Sequence, residues 1–154
     1  MQSSIDKYLR EHSTIPSESL DWIEKQTNIH TNYPRMLSGS VQGELLKILV
    51  EISGARMVLE IGSFTGYSAA CMALGLPDDG HVDALEINDE LEELMRAGWE
   101  RTGVADKITL HIGDARRPSR SSTDLSTSFS SMPTRGNTAI ISSWCSRRSL
   151  AGES

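Results

Sequence analysis

Three acidic residues, Glu60, Glu86 and Asp114, each stand at or just past the end of a short apolar run. The runs hold Met57, Val58, Leu59 and Ile61; then residues 81–87; then Ile108, Leu110 and Ile112 in alternation. That is the profile of buried parallel strands, whose carboxyl ends are where open α/β sheets take ligands. Behind Glu60 comes a glycine elbow, Glu60-Ile-Gly-Ser-Phe-Thr-Gly66. Gly62 lets the backbone turn sharply and leaves room for a ligand to approach. Gly66 lets the next helix pack close to the strand, and the first N–H groups of that helix then point at the gap. A P-loop would need Lys and then Ser or Thr after its second glycine, where Tyr67-Ser68 stands here. A dinucleotide fingerprint would need G-x-G-x-x-G, and this loop reads G-x-x-x-G. Glu86 follows Gly66 by 20 residues, close to where such folds place an acid that accepts hydrogen bonds from ribose hydroxyls. A chance acid beside an ordinary turn is the plain alternative, and three acids on three successive strand ends count against it.

The elements that must position these acids can be read from spacing. Residues 5–11 predict a short helix, and Ser17, just after Pro16, is an N-cap for a second through Leu20, Trp22 and Ile23. Residues 28–34 read as a loop. A longer helix follows, with Leu45, Leu46, Ile48, Leu49 and Ile52 on one broad face and Gly54 as its stop. After the strand at 57–61 and the helix from Gly66 come a turn at Pro77-Asp-Asp-Gly80 and the second strand. Asn88 or Asp89 caps the next helix, whose stripe is Leu91, Leu94, Met95, Gly98 and Trp99. Acids fill its first turn, Glu92 and Arg96 are spaced as an i,i+4 pair, and Gly103 ends it before the third strand. The expected fold is therefore α/β: an incomplete Rossmann-like, doubly wound parallel sheet with strands in the order 3-2-1, preceded by helices.

Charge divides the chain. Up to Ala115 there are 9 basic and 19 acidic residues; from Arg116 onward there are 6 arginines and only 2 acids. The expected division is a partial domain over 1–115 and a low-complexity tail over 116–154. An acidic body argues against a nucleic-acid face. No run approaches the ~18 apolar residues that cross a bilayer, and the N-terminus lacks a signal-peptide core. Cys71 lies in an apolar helix and Cys145 in the tail, a placement that argues against a structural pair and for the cytoplasm. His12, His30, His81 and His111 show no ligand spacing and read as surface or loop residues rather than a metal set.

With these residues in view, the chain resembles the class I S-adenosylmethionine-dependent O-methyltransferases, in the branch related to the caffeoyl-CoA and catechol enzymes. The matching stretches are Tyr33-Pro-Arg-Met-Leu-Ser-Gly39, Gln42-Gly43, Leu59-Glu-Ile-Gly-Ser-Phe-Thr-Gly-Tyr-Ser68, Leu85-Glu-Ile-Asn88 and His111-Ile-Gly-Asp-Ala115. The resemblance implies that Glu60, Gly62 and Ser63 contact the amino-acid end of S-adenosylmethionine and that Ser68 helps hold its carboxylate. It implies Glu86 on the ribose, Asp114 and Ala115 beside the adenine, and Ser38 closing over the cofactor through its backbone. It further implies methyl transfer to a hydroxyl of a small aromatic acceptor, a divalent cation that lowers that hydroxyl's pKa, and a homodimer. No catalytic residue is identified. The family's metal ligands, in an Ile-Asp-Ala-Asp-Lys segment and a later Asp-Asn pair, are missing here. Two further readings stay open: a non-catalytic cofactor-binding remnant or interaction module, and more distantly a nicotinamide-dependent oxidoreductase.

The tail is rich in serine, threonine and arginine and shows no periodicity, so taken alone it reads as irregular and disordered. A reading-frame slip near Arg116 gives it a sharper explanation. Read one base earlier, codons available to residues 126–138 can spell Phe-Asp-Leu-Val-Leu-Ile-Asp-Ala-Asp-Lys-Arg-Glu-Tyr, the missing strand and metal segment. Met132 and Trp144 each have a single codon; they force Ala and Val in the shifted frame, and both suit the family pattern. Without that strand, 57–61 is expected to show a bare hydrogen-bonding edge, and the chain to be marginal in stability.

Overall fold

The computed structural model describes residues 4–13, 16–113 and 138–142. Two helices come first, α1 (Ser4–His12) and α2 (Glu18–His30). Ser17 opens α2 as its type predicts: its hydroxyl accepts from the Leu20 amide at 3.3 Å, satisfying one of the N–H groups a helix start leaves over. The loop expected from residue 28 begins later. Asn28 Nδ2 donates back to Glu24 O at 2.7 Å, and the helix runs on to His30. A short 3-10 turn at Pro34–Met36 leads to α3 (Gly39–Ser53), which Gly54 ends in the left-handed region at φ 61°.

Helix α3 departs from its periodicity. The broad apolar face that the spacing marks does not turn inward: Leu45, Ile48, Leu49 and Ile52 are exposed, Ile52 at 79 %, and only Leu46 of that set packs on the core. The buried positions are Gly43 and Val50. The reason is how closely α3 approaches α4 (Tyr67–Gly75). A Cβ placed on Gly43 would stand 2.6 Å from Cys71 Sγ and 2.8 Å from Tyr67 Cε1, so only the face bearing this glycine can meet the neighbouring helix.

The sheet has four strands, β1 (Met57–Ile61), β2 (His81–Glu86), β3 (Ile108–Ile112) and β4 (Thr138–Ser142), in the order β3-β2-β1-β4. All three pairings are parallel, with Met57 opposite His81, Val82 opposite Ile108 and Met57 opposite Thr138. The 3-2-1 trio is thus as the sequence predicts. The bare edge on 57–61 is not: β4 lies along it, and residues 138–142, expected to be irregular, form a strand. Thr138-Ala-Ile-Ile-Ser142 is rich in β-branched residues, and its backbone gives β1 partners for a row of N–H and C=O groups that would otherwise be left over. The order also places a topological switch point between β1 and β4. Residues 116–137 and 143–154 of the expected tail, and the boundary expected at 115, lie outside the described residues.

One face of the sheet carries the core. Val58, Val82, Ala84 and Ile108 pack with α4, which is buried from Tyr67 to Ala73, and with α5 (Glu92–Thr102). The α5 stripe falls where its spacing puts it, with Met95, Gly98 and Trp99 buried and Leu91 and Leu94 against them. Burying side chains of this size contributes about 1.5–3 kcal/mol each. Arg96 Nε meets Glu92 Oε1 at 2.8 Å, and Gly103 ends the helix at φ 71°. The period of two puts His81 and Asp83 on the sheet's other face, where His111 Nε2 lies 2.7 Å from Asp83 Oδ1 and His81 Nε2 3.8 Å from it. These two histidines lie within the predicted strands and are half-buried beside Asp83 rather than on the surface or in loops. No helix among the described residues is long and apolar enough to cross a membrane.

Candidate functional site

The turn from β1 to α4 is built by its own residue types. Gly62 (φ 86°) and Gly66 (φ 79°) take the left-handed conformations the elbow needs, and Phe64 joins them at φ 52°, uncommon for a bulky side chain. The amides of Gly62 and Ser63 both donate to Leu85 O, at 2.8 and 3.1 Å, which fastens the elbow to the end of β2.

Inside this turn lies Glu60, fully buried. Ser63 Oγ donates to its Oε2 at 2.6 Å and Ser68 Oγ to its Oε1 at 2.5 Å. Burial pushes the carboxyl up to about 7, the two serine hydroxyls hold it from going higher, and the neighbouring charge of Glu86 adds to the rise. Among the described residues no basic side chain meets it. Glu86, at the end of β2, is the second buried carboxylate, at 8 % exposure. Phe64 N donates to its Oε2 at 2.6 Å, while Ile87 N and Asn88 N donate to its Oε1 at 2.9 and 3.0 Å. A carboxylate offers about four acceptor sites, so one on Oε2 stays available for a hydroxyl.

The structure therefore brings together Glu60, Gly62, Ser63, Ser68 and Glu86 from the residues singled out in the sequence. Ser38 stands immediately before α3, and its side chain does not cap that helix. Asp114 and Ala115 lie outside the described residues; the chain reaches them through Gly113, whose amide donates to Glu86 O at 2.8 Å. Sequence reasoning missed Thr27, Thr65 and Trp99. Trp99 Nε1 donates to Gly66 O at 2.9 Å, and the hydroxyls of Thr27 and Thr65 lie 2.8 Å apart, both fully buried. The available signal was a threonine at i+4 from Ile23, on the apolar side of α2.

Two buried carboxylates without cationic partners, beside a helix N-terminus, suit a ligand that combines positive charge, hydroxyls and its own carboxylate. An adenosyl sulfonium amino acid has that donor set, so the residues present fit S-adenosylmethionine. Among the described residues no three His, Cys, Asp or Glu side chains are grouped to hold the divalent cation that the resemblance implies.

Comparison with known proteins agrees with the geometry. The chain matches the O-methyltransferase family over residues 10–125. It is similar to a caffeoyl-CoA O-methyltransferase of Eucalyptus gunnii, at 37 % identity over 111 residues, 71 % of this chain and 44 % of that protein. A Zea mays caffeoyl-CoA O-methyltransferase is 36 % identical over 71 % of this chain and 43 % of its own length. Among solved structures, the Bacillus cereus O-methyltransferase in complex with S-adenosylhomocysteine (SAH) superposes with a TM-score of 0.69 at 30 % identity, covering 75 % of this chain and 52 % of that one. The Streptomyces achromogenes O-methyltransferase TomG, bound to S-adenosylmethionine, gives 0.69 at 30 % identity, over 75 % and 51 % of the two chains. The chain spans less than half the length of the curated relatives it matches. Strand order, glycine elbow and paired carboxylates thus coincide with the sequence match, and the chain belongs to the O-methyltransferase family.

Proposed function

We propose that the chain carries the cofactor half of an S-adenosylmethionine-dependent O-methyltransferase acting on a hydroxyl of a small aromatic, of catechol or caffeoyl type. The observation that carries this reading is Glu60, a buried carboxylate held by Ser63 and Ser68 one strand away from Glu86. When bound, S-adenosylmethionine supplies a methyl group activated by its sulfonium sulfur. In this chain Glu60, Gly62 and Ser63 take the ammonium end, Ser68 and the start of α4 take the carboxylate, and Glu86 takes the ribose. Asp114 and Ala115 flank the adenine, and the Ser38 backbone closes over it. No step is assigned to a metal.

The reading-frame slip near Arg116 is part of this proposal. The curated relatives align over only 111 residues, and the family match runs to residue 125. On this reading the 154-residue chain binds cofactor weakly and does not turn over. Sequencing the gene across codons 114–154 for a compensating open frame tests the slip. A second reading is a cofactor-binding remnant without catalysis, since Glu60, Glu86 and the elbow form a cofactor cradle by themselves. A homodimer has support in the outward apolar stripe of α3, and a cytoplasmic location in the free Cys71 thiol.

Titration calorimetry with SAH and with NAD separates the methyltransferase readings from an oxidoreductase. SAH binding without NAD binding supports them, and the reverse defeats them. Product formation by the 154-residue chain with a divalent cation, S-adenosylmethionine and a catechol would defeat both the loss of turnover by the slip and the remnant reading.

A further inference from the structure

We propose that Thr65 and Thr27 are positioning residues for the cofactor turn, acting as a two-hydroxyl relay that fastens it to α2. The direction of the relay follows from proton count. Thr27 Oγ1 donates its one proton to Ile23 O at 2.7 Å. The 2.8 Å contact between the two threonine hydroxyls is then a donation from Thr65 to Thr27. Both side chains are fully buried, so water does not compete for either.

The place of Thr65 in the turn gives this relay its role. Four consecutive residues are each bonded to a different element. Ser63 Oγ bonds Glu60 on β1, Phe64 N bonds Glu86 at the end of β2, Thr65 Oγ1 bonds Thr27 on α2, and Gly66 O accepts from Trp99 on α5. Phe64 holds a left-handed conformation, which a bulky residue keeps only when its neighbours fix it. Thr65 is the neighbour on its C-terminal side. Releasing Thr65 from α2 lets Phe64 relax, and with it the amide that aims Glu86. Helix α2 thereby takes part in shaping a site from which it is separated by a strand and a helix in sequence. The close seat of α2 on α5 completes the frame, since a Cβ on Gly98 would stand 2.8 Å from Ile23 Cγ1.

For its ligand this inference rests on the cofactor reading above, and the test keeps the two apart. Thr65→Val, Thr65→Ser and the double change Thr27→Val/Thr65→Val are compared with the wild-type chain. The readouts are SAH affinity by calorimetry, exchange of the Phe64 amide by NMR, and urea unfolding. In Thr65→Val the Thr27 hydroxyl still donates to Ile23 O, and in the double change neither hydroxyl remains, so neither variant buries an unpartnered donor. The expected result is a loss of SAH affinity of about tenfold in Thr65→Val and in the double variant, the scale of one net hydrogen bond. Phe64 amide exchange is faster in both, and Thr65→Ser restores both readouts. Wild-type affinity in the valine variants, or no rescue by serine, overturns the relay. Should the wild-type chain not bind SAH, the cofactor reading fails; the relay is then judged by Phe64 exchange, and exchange unchanged in the valine variants overturns it.

Discussion

The Trp99 indole N–H donates to the Gly66 carbonyl oxygen at 2.9 Å, and the same ring closes the space in which a side chain at position 66 would stand. A Cβ there would lie 2.7 Å from Trp99 Nε1, on a backbone already at φ 79°. The elbow and α5 thus determine each other. Gly66→Ala meets both penalties and is expected to cost about 2–4 kcal/mol by urea unfolding. Trp99→Phe removes one of the two donors to the Gly66 carbonyl, leaving the Ala70 amide at 3.0 Å, and shrinks a buried ring, and should cost about 1–3 kcal/mol.

Glu60 gives stability a pH dependence of defined sign. Burial pushes its carboxyl up to about 7 in the folded chain from an ordinary value of 4.5. Between those values the folded state holds a proton that the unfolded state has released, so stability falls as pH rises from about 4.5 to 7 and is level above. The size is about 3 kcal/mol from a shift of this order. Urea unfolding across this range should show the decline in the wild type and lose it in Glu60→Gln. On the proposed cofactor reading a ligand ammonium favours the ionised form, so SAH binding tightens from pH 6 to 8 with release of a proton, measured by calorimetry in buffers of different ionisation enthalpy.

Glu86 serves three backbone donors before any ligand arrives. Glu86→Ala leaves the amides of Phe64, Ile87 and Asn88 without their acceptor and should cost about 2–4 kcal/mol, with faster hydrogen exchange at all three positions. An unfolding midpoint equal to the wild type would show that these bonds hold nothing in place.

Gly43 sets the spacing of α3 against α4. Gly43→Ala is expected to destabilise by about 1–3 kcal/mol, and adding Cys71→Ala should recover part of that loss because the nearest obstacle is Sγ at 2.6 Å. Burial pushes the Cys71 thiol up to about 12, with Glu44 and Glu60 adding to the rise. Its modification by a thiol reagent at pH 8 should therefore track unfolding of the chain rather than reagent concentration.

How much of this was legible in the sequence differs from place to place. The β-α-β-α-β half-sheet was readable because local signals decide it: Ser17, Gly54, Asn88 and Gly103 punctuate the elements, and Met95, Gly98 and Trp99 share a helical stripe. The carboxylates at strand ends were readable because Glu60 and Glu86 close apolar runs. The orientation of α3 was not, since periodicity marks an apolar face without saying which face a glycine will bring into contact. The strand at Thr138–Ser142 is as long as β1 and β3, but no helical pattern flanks it in its serine-rich stretch to mark it as part of the same sheet. Nor was Thr65's partner foreseeable, because Thr27 lies 38 positions away in sequence and only the fold brings the hydroxyls together.

Sequence distance within the sheet also sets an order of assembly. Met57 finds His81 across one helical connection, while its partner on the other side, Thr138, waits more than three times as far along the chain. Loop closure of that length is slow to be repaid by contacts. Glu60, Glu86 and the elbow between them belong wholly to the early-closing units, so pulsed hydrogen exchange during refolding is expected to find the Phe64 amide protected before residues 138–142.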